Sequence, residues 1–165
     1  MRKINLKSTN RKISTAITFI VVIYGIISLV VPTILVNIIP QSALGIFFIE
    51  HIFIFTVPYL FSSVYFMIVG CYYYYVKIDA YVMYITSYRT IIGLFIAKNY
   101  IEVPHDMLIQ YAFFNRPFTF NKTLMIKIKD VSGKIIVKRF NFSFLSKREE
   151  NRISNVLVKI IAKNK

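Results

Sequence analysis

Apolar positions fall into three regimes along the chain. From Ala16 to Ile39 (AITFIVVIYGIISLVVPTILVNII) 24 residues follow one another without a formal charge. As a helix that stretch is about 36 Å long, enough to cross a bilayer with some tilt. A second uncharged stretch, Ile52 to Val76, is of similar length, and only the short link Pro40-Gln41-Ser42-Ala43-Leu44-Gly45 precedes it. The pattern predicts an antiparallel hairpin of two spanning helices, at about 16–39 and 52–76. The first is read as an uncleaved anchor, because its apolar run exceeds a signal-peptide core and no Ala-x-Ala-like site follows.

After Lys77 the period becomes two. Asp79 to Tyr88 and Thr90 to Ala97 are rich in β-branched and aromatic residues and read as strands joined near Arg89. Asn99 to Val103, closed by Pro104-His105-Asp106, and Leu108 to Phe114 give two more. Lys122 to Lys129 alternates most clearly, with Leu124, Ile126 and Ile128 on one face and Met125, Lys127 and Lys129 on the other. Asp130-Val131-Ser132-Gly133 then offers a hairpin turn in which Gly133 takes positive φ. The returning strand, Lys134 to Phe144, sets Phe140, Phe142 and Phe144 against Arg139, Asn141 and Ser143.

The third regime is helical. Ser146-Lys147-Arg148-Glu149 matches a capping box. Ile153, Val156, Leu157, Ile160 and Ile161 follow at i, i+3, i+4, i+7 and i+8, which is one apolar stripe. Arg148, Arg152, Asn155, Lys159 and Lys163 occupy the other side.

Charge sharpens this partition. Of 165 residues 56% are hydrophobic and 17% charged, and 21 Lys+Arg against 7 Asp+Glu give +14. Between Ile13 and Val76 there is no Lys or Arg, and Glu50 is the one acid. Arg2, Lys3, Lys7, Arg11 and Lys12 flank the apolar block on one side and Lys77 on the other, so the positive-inside rule puts both termini in the cytoplasm. The domains expected are therefore a basic cytoplasmic segment over 1–15, a transmembrane hairpin over 16–76 and a cytoplasmic domain over 77–165, in the cell membrane. The Tyr72-Tyr73-Tyr74-Tyr75 run falls at the inner interface of the second span. Disorder is excluded by the apolar content, and a disulfide scaffold or multi-cysteine zinc site by the single cysteine, Cys71.

No constellation for catalysis is visible, so no enzyme activity and no cofactor or metal is expected. His51 and His105 lie on opposite sides of the membrane in this topology and cannot share a metal. His105-Asp106 could be drawn as a base with its orienting acid but reads as a turn after Pro104, and Cys71 reads as a small buried residue. Glu50 and His51, ionisable residues beside a spanning helix, are candidate interfacial polar groups. Pro32 and Pro58 are places for a kink, and Gly25, Ser28, Ser62, Ser63 and Gly70 for close helix approach. The basic residues Arg148, Arg152, Lys159, Lys127, Lys129 and Arg139 are candidates for contact with an anionic inner leaflet or a partner. Lys138-Arg139-Phe140-Asn141-Phe142 does not read as a nucleic-acid module, because its aromatics alternate toward the core.

Two N-terminal spans, then strands, the segment Ile101, Val103, Pro104, Leu108, Ile109, a late strand pair across Asp130–Gly133 and one amphipathic C-terminal helix resemble the bacterial pleckstrin-homology-like (PH-like) membrane proteins of the YdbS-like type. One departure is Phe114-Asn115-Arg116-Pro117-Phe118, where that family commonly has a Gly-containing turn. The resemblance implies a PH-like β half-barrel capped by a helix, in an α+β membrane protein. It also implies a role, since some small members help protect cells that make leaderless bacteriocins. The expected function is then binding at the cytoplasmic membrane in self-immunity to a cationic membrane-active bacteriocin. The competing expectation is an accessory subunit docked on a transporter or envelope complex.

Overall fold

Residues just before the first apolar helix and just after the second meet as paired strands. A computed structural model describes residues 5–90 and 98–164. In it β1 (Leu6–Thr9) runs antiparallel to β2 (Tyr72–Ile78), with Leu6 opposite Ile78 and Thr9 opposite Tyr75. β3 (Val82–Arg89) and β4 (Asn99–Pro104) extend this to a four-stranded antiparallel sheet in the order β1-β2-β3-β4. A 3-10 turn, His105–Met107, leads into a second antiparallel sheet made of β5 (Leu108–Asn115), β6 (Asn121–Lys129) and β7 (Ile135–Ser143). The last element among the described residues is α4 (Lys147–Lys163).

By its contacts the chain divides into two units. One comprises Met1–Ser14 with Cys71–Lys165, the other Thr15–Gly70. The first has one core. Tyr74, Val76 and Ile85 from the first sheet, Leu124, Ile126 and Phe142 from the second, and Leu157 of α4 are all completely covered. The Tyr74 ring stacks on Phe142 with centroids 4.5 Å apart, which joins the sheets face to face. Ile153, Leu157 and Ile160 lie on one stripe of α4, as their spacing predicts, and close the core. Ser146 caps that helix by accepting from the Glu149 N–H at 3.2 Å.

The second unit holds helices. α1 (Arg11–Gly25), which begins in the first unit, passes through a π-helical segment, Ile26–Val30, into α2 (Val31–Ile38). After a turn, α3 (Ala43–Val69) returns. Arg11–Ile38 and Ala43–Val69 are both long and apolar enough to cross a membrane. The π segment has a local cause. Pro32 has no N–H to donate to the Ser28 carbonyl, so the regular ladder fails there, and Thr56 Oγ1 of α3 donates to that carbonyl at 3.4 Å. Close approach is needed at Gly25, where a Cβ would come within 2.7 Å of the Tyr59 hydroxyl. Tyr59 packs edge-on against Tyr24.

Several expectations shift. The second helix starts at Ala43 and ends at Val69, so the uncharged stretch 52–76 is part helix and part strand. Tyr72–Tyr75 belong to β2, with Tyr74 buried in the core rather than in a helical interface belt. Gly70, at φ 74°, ends the helix in a conformation that suits glycine. The segment 1–15 is not a free basic flank, because β1 lies within it and joins the unit expected to begin at residue 77. In β7 the alternation stops early. Ser143 is buried, Phe144 turns to φ 58°, and Leu145 takes the core position instead. Across the Phe114–Phe118 segment, where the resembled family commonly has a Gly-containing turn, Phe114 pairs with Thr123 and Asn115 with Lys122. The strand expected over Thr90 to Ala97 lies mostly outside the described residues, while β3, β4 and β6 follow the alternation and the turn has Gly133 at φ 81°. β5 forms where a strand is expected, but its register shifts between Leu108 and Gln110 and its burial does not alternate.

Asn10 clamps the β1–β2 pairing. Its Nδ2 donates to the Tyr72 carbonyl at 2.8 Å and to the Ser143 carbonyl at 2.9 Å, and its Oδ1 accepts from the Tyr74 N–H at 2.9 Å. Because Asn10 is buried, truncation leaves several polar groups without partners or water. Asn10→Ala is expected to destabilise the first unit by about 3 kcal/mol and to lower its melting temperature in detergent by about 10 °C. The exposed Asn155→Ala control should stay within about 2 °C, with circular dichroism as the readout.

Candidate functional site

The six basic residues singled out from the sequence do not form one surface. Arg148, Arg152 and Lys159 are exposed on α4, turned away from the Ile153-Leu157-Ile160 stripe. Lys127 and Lys129 lie on β6, where Lys127 pairs with Val137 and Lys129 with Ile135, and Arg139 pairs with Met125. These three project from the outer side of the second sheet. Arg139 there borders a shallow depression with Phe114, Arg116, Thr123 and Met125. The core lies between the two sets, so the domain displays cationic charge on two sides.

The outer face of the first sheet is a surface that sequence reasoning missed. Tyr73 and Tyr88, directly opposite on β2 and β3, have ring centroids 4.7 Å apart, and Tyr75 meets Tyr84 edge-on at 5.9 Å. Lys7 Nζ lies 5.6 Å from the Tyr75 ring centroid and Lys98 Nζ 5.5 Å from that of Tyr88. Such cation–π contacts at exposed sites are each worth about 0.5–1 kcal/mol. The available signal was the alternation of Val82–Arg89, which sets Tyr84 and Tyr88 on one face. The uninterrupted tyrosine run masked its partner strand.

Between the core and α4 a polar contact ties β1 to the helix. Glu149 accepts from Ser8 Oγ at 3.1 Å, from the Tyr74 hydroxyl at 3.3 Å and from Ser146 Oγ at 3.1 Å. Burial, with the nearby Glu149 charge, pushes the Tyr74 phenol up to about 12. Capping of α4 and docking of β1 thus share one carboxylate.

Glu50 and His51, expected beside a spanning helix, lie within α3, several residues after its start. His51 stacks on Phe47 with centroids 4.6 Å apart, and its Nδ1 bonds to the Phe47 carbonyl at 2.9 Å. Cys71 immediately follows α3's glycine cap and is buried, and burial pushes its thiol up. Among the described residues no group of three or more His, Cys, Asp or Glu is placed to hold a metal ion.

His105 occupies the turn read from the sequence. Its N–H donates to the Tyr81 carbonyl at 2.9 Å, and its carbonyl accepts from Asn164 Nδ2 at 2.6 Å, just past the end of α4. Asn164 Nδ2 also donates to the Leu108 carbonyl at 3.0 Å, so the turn and the helix end are fastened together. Asp106, drawn as an orienting acid, is exposed. Comparison with protein-family models, curated proteins and solved structures returns no match.

Burial holds the His105 imidazole below its ordinary value. The Val82 backbone opposes that lowering, the Lys163 cation adds to it and Asp106 opposes it. The unfolded chain therefore binds this proton more readily than the folded one. The stability His105 contributes is complete above the ordinary imidazole range, about 6.5, and is lost as pH falls through that range toward the folded value. Thermal unfolding at pH 7 and pH 5 should accordingly show a smaller pH-dependent drop for His105→Asn than for the unaltered protein. Equal drops would mean that His105 titrates alike in both states.

Proposed function

We propose that this chain is a membrane-anchored binding module that acts by contact, without catalysis. The two apolar helices form a transmembrane hairpin with both termini cytoplasmic, and the two-sheet unit capped by α4 is a PH-like domain held at the inner surface of the cell membrane. The observation that carries this reading is the β1–β2 pairing. It brings the chain's departure toward the first apolar helix beside its return from the second, as a hairpin anchored from one side requires.

Two further features support it. Apolar side chains on the helices are widely exposed, among them Phe53, Phe61 and Ile68. Exposing so much contiguous apolar surface to water is unfavourable, whereas a bilayer accepts it. Lys and Arg are absent from 13–76 and frequent on either side, as the positive-inside rule asks of cytoplasmic flanks. A domain of this charge near an anionic leaflet gains about 1 kcal/mol for each Lys or Arg close to the surface.

The physiological role proposed is self-protection of a producing cell against a cationic membrane-active bacteriocin, as the resemblance implies. The protein's charge of +14 bears on how. Like charges oppose contact between the globular unit and a cationic peptide. Capture then falls to the apolar hairpin or to a partner protein.

Expression in a sensitive Gram-positive strain should raise the inhibitory concentration of at least one cationic leaderless bacteriocin by several-fold. No rise across a panel of such peptides, with the protein present in the membrane, would contradict the protective role. Co-purification with a transporter in that case would assign the chain to the accessory role instead.

A further inference from the structure

The end of the first unit where the chain departs and returns carries an unusual edge. Asn10 bonds there to the Tyr72 and Ser143 carbonyls, and the Tyr72 N–H donates to Ser143 Oγ at 2.7 Å. The β7–α4 corner therefore sits beside both chain crossings. The β5–β6 turn joins it, because the Phe144 N–H donates to the Phe120 carbonyl at 3.0 Å and the two rings stack with centroids 5.1 Å apart. At the tip of that turn Phe118 is 98% exposed.

Phe118 is costly to the isolated fold on two counts. Its φ is 59°, in the left-handed region that glycine or asparagine enters with less strain. Its ring is almost wholly in water. Phe144, at φ 58°, shares the conformation. Strain held at an exposed aromatic points to something outside the chain that uses it.

The charge around this edge is mostly positive. Residues 5–14, 115–123 and 143–150 supply Arg11, Lys12, Arg116, Lys147 and Arg148, all exposed. Their only acids are Glu149 and Glu150. Glu149 is held by Ser8, Tyr74 and Ser146, and Glu150 by Lys122 and Lys147. Exposed phenylalanines within a cationic rim, beside the crossings into two apolar helices, match the surface of an anionic bilayer. There rings enter the headgroup–acyl boundary while cations meet lipid phosphates.

We propose that the β5–β6 turn is a membrane-inserting wedge. Phe118 enters the bilayer interface, the Phe120–Phe144 pair lies just behind it, and Arg116 and Arg148 engage anionic headgroups, which fixes the domain's tilt on the membrane. This rests on the membrane-anchored reading, and the test separates the two.

The chain has no tryptophan, so Phe118→Trp introduces a lone indole at the tip. The full-length variant is reconstituted into vesicles of phosphatidylglycerol and phosphatidylcholine, with and without brominated acyl chains. Phe61→Trp, on the exposed side of α3, serves in a parallel sample as the anchor reporter. The wedge predicts blue-shifted emission from the tip probe, with at least twofold quenching by brominated lipid. It also predicts that adding Arg116→Glu and Arg148→Glu weakens that quenching by half or more, while the same pair of changes leaves the signal of the anchor reporter unaltered.

Quenching of the anchor reporter with solvent-like, unquenched emission from the tip probe overturns the wedge and leaves the anchor standing. A blue shift of the tip probe without lipid quenching means that protein, such as a second copy, covers the tip, and it also overturns the wedge. Failure of both probes to be quenched removes the anchor and the wedge together.

Discussion

A four-residue strand closes the architecture. β1 contributes only Leu6–Thr9, yet its pairing with β2 makes the segment before the apolar helices and the segment after them parts of one sheet. So short an edge strand holds poorly by ladder bonds alone. Leu6 enters the core, Ser8 bonds to Glu149 at the start of α4, and Asn10 satisfies backbone groups on both β2 and β7. Three elements distant in sequence, β2, β7 and α4, therefore depend on the five residues Leu6–Asn10. The apolar helices are thus inserted in sequence between two strands that pair with each other.

Much of this was legible because local chemistry and tertiary demand agree. In β6 the dry face Leu124-Ile126-Ile128 is the core face, and in α4 the capping residue and the stripe specify start and orientation independently. The turn at Asp130–Gly133 needed positive φ and had a glycine to supply it. What escaped had no local signature. Leu6-Lys7-Ser8-Thr9 has one strong apolar residue, and its partner strand lies more than 60 residues away across the apolar block. Tyr72–Tyr75 carry no charge, so composition alone extends the helix through them. Only the left-handed Gly70 marks the break, and a lone glycine in an apolar run does not announce its φ.

The candidate surface was legible in composition and not in arrangement. Counting Lys and Arg found the basic character, but only the folded register shows that Lys127 and Arg139 leave one side of the core while Arg152 and Lys159 leave another. The alternation of β7 foretold Phe140 and Phe142 correctly and failed at Phe144, where the chain must turn toward the helix cap. That failure relocates an aromatic ring from the core to the edge beside the chain crossings. The departures from regular pattern at Phe118 and Phe144 fall together in the first unit, where the β5–β6 turn meets the β7–α4 corner and local irregularity serves connection rather than packing.

The strand clasp is open to direct trial by disulfide trapping. Lys7 and Lys77 stand opposite each other on β1 and β2, at the roughly 4.5–5.5 Å Cα separation usual for antiparallel partners, within reach of a disulfide. With Cys71 replaced by Ser, the double variant Lys7→Cys, Lys77→Cys should form an intramolecular crosslink in native membranes under mild oxidation, seen as a reducible mobility shift of the monomer. A Lys7→Cys, Lys129→Cys pair should form none. Failure of the first pair to crosslink while both thiols remain reactive to maleimide would show that the N-terminal segment does not join the sheet, and would contradict the account at its foundation.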